Sequence, residues 1–455
     1  MMNTPFIKKI YNPISLPIIF FLSAIIAGAL LLHAPFSHST KPLSFLDSLF
    51  TATSAVCVTG LTTVDTGTIF TRAGQVVVVT LIQLGGLGIM TFTSLAFYLW
   101  KKRVSLTDRI AVGQSLLNDA NFHLGSFLVQ IVVVIFAIEF TGAVLLFAFA
   151  PAKFPPFSAI FHAISAFCNA GFSLSSDSLM SVAGNWPVNF VIMALIILGG
   201  LGFSVIVEGK DYLGSLLRKR ERPRHLSWHF TIVVKTSLFL VAIGAIYIYF
   251  SEFVAFKSYL KFPEAVLTSL FQSVTCRTAG FNTLNIGDMT NASLVFMIFL
   301  MLVGGAPGSC AGGVKVTTFR VLWAFIRSHI RGRRQVVIGN YAVDNDTINK
   351  SLILVFFTLV LIFVCVILLD FSEGGGMPHA QVRGQFLELL FEAVSAFGTV
   401  GLSTGLTAKL SPFGKSIIIM LMFIGRLGPL VLLSAIQSFQ TNILFSRPEE
   451  KLSIG

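Results

Sequence analysis

Apolar residues run along this chain in eight long stretches, roughly 13–32, 74–100, 124–150, 187–207, 229–250, 292–325, 352–369 and 413–436. A helix needs about 20 residues to cross a bilayer, so each stretch predicts a spanning helix. Within each successive pair lies a shorter, semi-apolar stretch: 46–60, 157–171, 264–280 and 387–401. These are helix-compatible, too short to span, and end in a glycine. The stretch 292–325 is itself interrupted. An apolar run from Ala292 to Val303 gives way to GGAPGSCAGG before a helix-like segment resumes beyond Lys315.

The four short stretches align as an internal repeat. They read LFTATSAVCVTGLTT (49–63), IFHAISAFCNAGFSL (160–174), SLFQSVTCRTAGFNT (269–283) and LFEAVSAFGTVGLST (390–404). Gly60, Gly171, Gly280 and Gly401 lie 111, 109 and 121 residues apart. Ten places earlier stand Phe50, Phe161, Leu270 and Phe391; two places later stand the small polar Thr62, Ser173, Asn282 and Ser403. A second landmark has its first glycine 24 to 28 residues on: LGGLG (84–88), LGGLG (198–202), VGGAPG (303–308) and IGRLGP (424–429). The chain therefore divides into four tandem units of helix, short re-entrant helix and helix, at 1–105, 106–215, 216–335 and 336–455. The expected fold is an all-α integral membrane protein, with eight spanning and four re-entrant helices around a pseudo-fourfold axis.

Composition agrees. Of 455 residues 55% are hydrophobic and only 11% charged, against about a quarter charged in soluble proteins. The net charge of +12 sits in short loops, as membrane orientation produces, and does not point to nucleic acid. The loops joining successive units hold the basic clusters: Lys101–Arg109, Lys210–Arg224 and Arg320–Lys350. The positive-inside rule puts these loops and both termini in the cytoplasm, with the short stretches entering from outside. Lys8 and Lys9 precede an apolar run without a convincing cleavage site, so the first helix reads as uncleaved. The five cysteines (Cys57, Cys168, Cys276, Cys310, Cys365) lack CxxC spacing and fall in or beside apolar segments. They support neither a disulfide framework nor a zinc site.

Non-helical backbone at membrane depth survives only when buried in protein or lining a water-filled path. Four equivalent loops around one axis supply such a path. Each short helix directs its negative C-terminal end inward, which favours a cation. Beyond it, extended backbone through glycine turns carbonyls inward: Val58, Thr59 and Gly60; Asn169, Ala170 and Gly171; Thr278, Ala279 and Gly280; Thr399, Val400 and Gly401. The nearest acids, Asp47, Glu264, Glu388 and Glu392, lie toward the helix starts. Coordination by backbone suits a large monovalent cation better than calcium or magnesium. The alternative is that these glycines serve close helix packing, which is the preferred reading for Gly85, Gly86, Gly199 and Gly200.

The interrupted segment, Gly304, Gly305, Ala306, Pro307, Gly308, Ser309, Cys310, Ala311, Gly312 and Gly313, cannot keep a helical ladder. A loop there, just inside the filter and flanked by Lys315, can obstruct permeation and move aside; the alternative is a static kink. A phosphate-binding loop would need lysine where Val314 stands. A nucleophile elbow would need glycine at Pro307 and Ala311. Arg426 falls at the fourth landmark, level with Gly305 of the third unit. Its expected place is below the filter, bonded to loop carbonyls or Ser309, where it raises the barrier to cations; the alternative is a clamp between helices. Arg277 is expected to point back and support its loop. Glu139 and Lys235 read as structural, and His162 as isolated.

The fourfold helix–loop–helix array, the VTGL, NAGF, TAGF and TVGL loops and the broken third-unit helix resemble the Trk/Ktr/HKT superfamily of cation transporters, over nearly the whole chain. Within it the resemblance is to the potassium-translocating subunits of bacterial Ktr systems. This resemblance implies that the four glycines carry a K⁺ filter, and that Gly60, where sodium-preferring relatives have serine, favours potassium. It implies that residues 304–313 are an intramembrane gate, and that Arg426 stands where the family has a basic residue. It also implies a homodimer in a bacterial inner membrane, stimulation by sodium, and a separate octameric ring of KtrA-type subunits. That ring would bind ATP/ADP or NAD, since no dinucleotide fingerprint follows a strand in this chain; no cofactor is expected here. Two rivals remain. An alternating-access secondary transporter predicts inverted twofold symmetry. A membrane-embedded enzyme predicts a catalytic cluster within the spans.

Overall fold

The computed structural model describes residues 15–39, 42–88, 124–217, 226–255, 260–375 and 384–428, with the isolated positions 378 and 382. The first unit comprises α1 (Ser15–His33), α2 (Phe45–Val56) and α3 (Arg72–Gly86). The second comprises α4 (Leu124–Phe149), α5 (Pro156–Phe167) and α6 (Trp186–Leu201), continued by α7 (Phe203–Leu217). The third holds α8 (Trp228–Ile248, prolonged by a π-helical turn to Ala255), α9 (Phe262–Thr275), α10 (Asn291–Leu302) and α11 (Val316–Ile330). The fourth holds α12 (Asn345–Glu373), α13 (Gln385–Gly398) and α14 (Pro412–Leu427).

Local sequence sets these boundaries. The second long helix of every unit starts at a capping side chain: Thr71, Asn185, Thr290 and Ser411 each accept an N–H from the first helical turn. The middle and C-terminal part of each short helix is buried, while Phe45, Phe262 and Phe386 near three of the starts are exposed. Phe50, Phe161 and Phe391 are at most 1% exposed. In the third unit Phe271, one place later, fills that role and Leu270 is only partly buried. Outward faces carry exposed Phe140, Phe239, Phe356 and Phe363, as a lipid solvent requires.

Two features depart from the expected pattern. The long runs 187–207, 74–100 and 413–436 read as unbroken spans, yet the helix break is not confined to the third unit. In the second unit α6 and α7 meet at Gly202 with a bend of 108°. Gly88, Gly202 and Gly428 share φ values of +77°, +86° and +82° just past α3, α6 and α14. A left-handed glycine ends an α-helix whatever the hydropathy of the residues that follow. Among the described residues, three helices plus this bent pair are long and apolar enough to cross a membrane unaided. The second departure is a small hairpin, β1 (Val337–Ile338) with β2 (Tyr341–Ala342), ahead of α12 in this otherwise helical fold. The basic residues 101–109 and 218–224, both termini and the ends of the runs 74–100 and 413–436 lie outside the described residues.

Candidate ion pathway

Each short helix ends in the same backbone sequence. Two residues before the landmark glycine, the chain enters left-handed space: Val58 at φ +55°, Asn169 at +60°, Thr278 at +70° and Thr399 at +50°. Three of these are β-branched, for which such a conformation is strained by about 1–3 kcal/mol. Gly60, Gly171, Gly280 and Gly401 then take +93°, +68°, +82° and +90°. Left-handed residues alternating with ordinary ones turn successive carbonyls to one side and N–H groups to the other.

Most of the N–H side is accounted for. Thr59 donates to Ser54 O at 2.8 Å, Ala170 to Ser165 O at 2.7 Å, Ala279 to Thr275 O at 3.0 Å and Val400 to Ser395 O at 2.8 Å. Gly60 and Gly401 donate to the hydroxyls of Ser54 and Ser395. The carbonyls of the three residues in each loop accept nothing from the protein among the described residues. Buried carbonyls are normally paired, so a set without a protein donor in four equivalent places is a candidate set of cation ligands.

The four loops close on one another. A methyl group placed on Gly60 would lie 2.5 Å from Ala170 O; on Gly171, 2.8 Å from Ala279 O; on Gly280, 2.5 Å from Val400 O. On Gly401 it would run into Thr59 O. Unit one thus abuts two, two abuts three, three abuts four and four abuts one. Such a circuit requires a shared axis, with no room for a Cβ at any of its glycines. Above it a cavity of about 310 Å³ opens, lined by all four glycines with Ser173, Asn282 and Ser403 among others.

Buried polar side chains brace the loops from behind. His162 and Glu392 each stand nine places before their unit's glycine. His162 Nε2 pairs with Ser173 Oγ at 3.0 Å, its Nδ1 with Ser158 O at 2.8 Å. Glu392 accepts from Ser403 Oγ, and from Thr407 Oγ1 at 2.7 Å. His162 is therefore not isolated: it and Glu392 hold the small polar residue just past each glycine, and their shared offset was visible in the sequence. Asp47 of α2 meets Lys415 of α14 at 2.7 Å, tying unit one to unit four. Glu139 accepts from Gln83 Nε2 at 3.2 Å within the same chain.

Beneath the ring, residues 303–315 form a compact loop between α10 and α11. Val303 and Val314 bridge its neck, and Gly304 N–H donates to Val314 O at 2.8 Å. Its tip is held by all three other units. Ala306 and Cys310 donate to Gly200 O and Gly199 O at 2.9 and 3.1 Å. Cys310 Sγ donates to Gly86 O at 2.9 Å. Gly312 N–H donates to Thr399 Oγ1, on the inner edge of the ring, at 3.1 Å. Contact with units one, two and four places this loop across the axis.

The basic residues converge on it. Arg426, buried in α14, donates one arm of its guanidinium to Cys310 O and the other to Gly85 O. The expected partner Ser309 instead donates to Ala306 O at 2.6 Å, so the loop carbonyl is the arginine's acceptor. Arg277 donates to Gly304 O at 3.0 Å, so it supports this lower loop as well as sitting in its own. Lys315 Nζ donates to Ala311 O at 2.6 Å and closes the loop's base.

The remaining landmark glycines let the long helices touch the short ones. A methyl on Gly85, Gly199 or Gly425 would collide with the carbonyl of Val56, Phe167 or Phe397 respectively, one pair per unit. Gly200 is different, with Asn169 Nδ2 an ordinary 3.5 Å away. Gly199→Ala is therefore expected to destabilise by about 1–3 kcal/mol, the usual effect of overpacking, and Gly200→Ala to be tolerated. Thermal-shift curves on the two purified variants check this; equal melting temperatures would remove the packing role of Gly199.

Residues 18–443 match the family model TrkH, described as cation transport protein. The chain is 40% identical over 445 residues to Ktr system potassium uptake protein B of Bacillus subtilis (strain 168), covering 95% of each. It is 35% identical to potassium/sodium uptake protein NtpJ of Enterococcus hirae, covering 99% of this chain and 98% of the relative. Among solved structures, that of the potassium transporter TrkH from Vibrio parahaemolyticus superposes with TM-score 0.74 at 18% identity, over 93% of this chain and 84% of the other.

Proposed function

This chain belongs to the TrkH family of cation transport proteins, in its Trk/Ktr branch, and from that membership we propose that it carries potassium into the cell through the ring of loop carbonyls. It is a multi-pass membrane transporter and not an enzyme. The observation that carries the proposal is the closed circuit of Gly60, Gly171, Gly280 and Gly401 with its unpaired carbonyls. Carbonyl oxygens in a ring replace the hydration shell of a potassium ion. The relatives named above supply the ion: both are named for potassium uptake, and one for sodium as well.

The loop 304–313 is the gate in this reading, with Lys315 and Arg426 holding it closed. The units 1–105, 106–215, 216–335 and 336–455 each contribute one quarter of the pathway. The basic joining loops and both termini face the cytoplasm of a bacterial inner membrane. The name of the Bacillus relative denotes a system of more than one component. A cytoplasmic nucleotide-binding subunit of KtrA type would act on this face to move the loop, and two copies of this chain would share one such ring. Sodium stimulation belongs to the same reading.

Expression in a bacterium lacking its own potassium uptake, with and without a KtrA-type partner, tests the proposal. Restored growth at low potassium and saturable K⁺ uptake are the expected outcome, with the partner raising the rate. Uptake of sodium in preference to potassium would overturn the assignment of the ion. Counterflow separates the rival mechanism: trans-acceleration by internal potassium would favour alternating access over a continuous pore.

A further inference from the structure

On the lipid-facing side of the third unit a cleft of about 510 Å³ opens between α8, α10 and α11, with the β-hairpin at its lip. Its walls are aromatic and aliphatic, including Phe239, Phe296, Phe299, Phe319 and Trp323. Two cations line the same cleft: Lys235 of α8 and Arg320 of α11. No acid lines it, and among the described residues neither cation has an ion pair or a hydrogen bond. Trp228 donates its indole N–H to Ile338 O at 3.0 Å and so fixes the hairpin over one end.

Depth matters here. The segment Trp228–Ala255 is 28 residues long, about 42 Å of helix against a hydrocarbon core of about 30 Å. Lys235 lies about 10 Å from its basic end, near the boundary between headgroups and acyl chains, with Trp228 beyond it in the usual aromatic belt. Two unpaired positive charges in one cleft repel each other and call for an anion. Apolar walls alongside them call for a hydrocarbon chain. A phospholipid with a net negative headgroup supplies both, and basic pockets between membrane helices on the cytoplasmic side are recognised sites for such lipids.

We propose that this cleft binds one anionic phospholipid of the cytoplasmic leaflet, its phosphate held between Lys235 and Arg320 and an acyl chain lodged against the phenylalanine walls. The leaflet rests on the orientation proposed above; the site itself does not. The lipid would link α8 to α11, the half-helix that continues directly from the intramembrane loop. A bound headgroup therefore braces the loop's cytoplasmic mount.

Native mass spectrometry of the purified protein, incubated with phosphatidylglycerol or phosphatidylcholine of matched chains, tests the proposal without reference to transport. The wild-type chain is expected to retain phosphatidylglycerol about tenfold better. K235Q/R320Q should lose that preference while keeping its melting temperature, and each single variant should lose part of it. Phe299→Trp, which narrows the cleft but leaves its charges, should weaken retention of both lipids. Equal retention of the two lipids by the wild type, or an undiminished preference in a folded double variant, would overturn it. So would efficient disulfide cross-linking of Trp323→Cys between two copies, because a second protein chain would then occupy the cleft.

Discussion

Gly280→Ser should lower the apparent affinity for potassium by about tenfold or more, an effect equivalent to about 1.4 kcal/mol. Two separate penalties act at this position. A serine at φ +82° sits in left-handed space, which is unfavourable by about 1–2 kcal/mol for a residue with a Cβ. That Cβ would also lie 2.5 Å from Val400 O, 3.1 Å from Gly171 Cα and 3.3 Å from Gly401 Cα. All three neighbours are backbone, so no rotamer change relieves the contact. The displaced atom is one of the proposed ion ligands, so the damage falls on coordination. Discrimination against sodium should weaken in the same variant, because a distorted ring no longer matches the larger ion.

Gly405→Ser is the matched comparison. Its φ of +98° imposes similar backbone strain, but nothing lies within 4 Å of the added carbon. Concentration-dependent uptake of K⁺ or Rb⁺ by cells expressing each variant separates the two penalties. A strong loss at Gly280 with near-normal kinetics at Gly405 is the expected pattern. Unchanged affinity in a well-expressed Gly280→Ser variant would remove the ring from the ion's path.

The same ring shows which features a sequence carries openly. The short helices and their glycines are legible because each unit must solve the same problem, ending a helix at membrane depth, and repeats the same residues to do so. Ser54, Ser165 and Ser395 recur six places before their glycines for that reason, and their backbone or side-chain oxygens receive the loop N–H groups. The unit-to-unit closure is not legible, since each glycine's neighbour lies more than 100 residues away in another unit, and that of Gly401 lies at Thr59, near the other end of the chain. The bend at Gly202 was masked by hydropathy. Phe203, Val205 and Ile206 continue the apolar run after the helix has turned, so hydropathy alone shows no break there. Arg426 could be placed near the loop by its landmark, but its partners depend on how three units meet. One acceptor, Gly85 O, lies in unit one and the other, Cys310 O, in unit three.

That three-way contact sets the expected effect of Arg426→Gln. Arginine presents a planar fork of donors, and here two arms join the loop to α3 from α14. Glutamine can keep at most one of these bonds and carries no charge. Hydrogen bonds to a charged group contribute about 1.5–3 kcal/mol each, so loss of one favours release of the loop by about tenfold or more. Potassium flux in the absence of the regulatory partner should rise by a similar factor, and the partner's further stimulation should shrink. Arg426→Lys separates two contributions that arginine combines. Lysine keeps the positive charge beside the pathway but, as a point charge, does not reproduce the fork. If electrostatic repulsion keeps the closed state tight, the lysine variant should leak little. If bracing of the loop dominates, it should leak almost as much as the glutamine variant, and the bidentate geometry favours this second outcome. Flux in Arg426→Gln equal to wild type, with and without the partner, would reduce the residue to a clamp between helices and leave the loop's closure to Lys315 and Arg277.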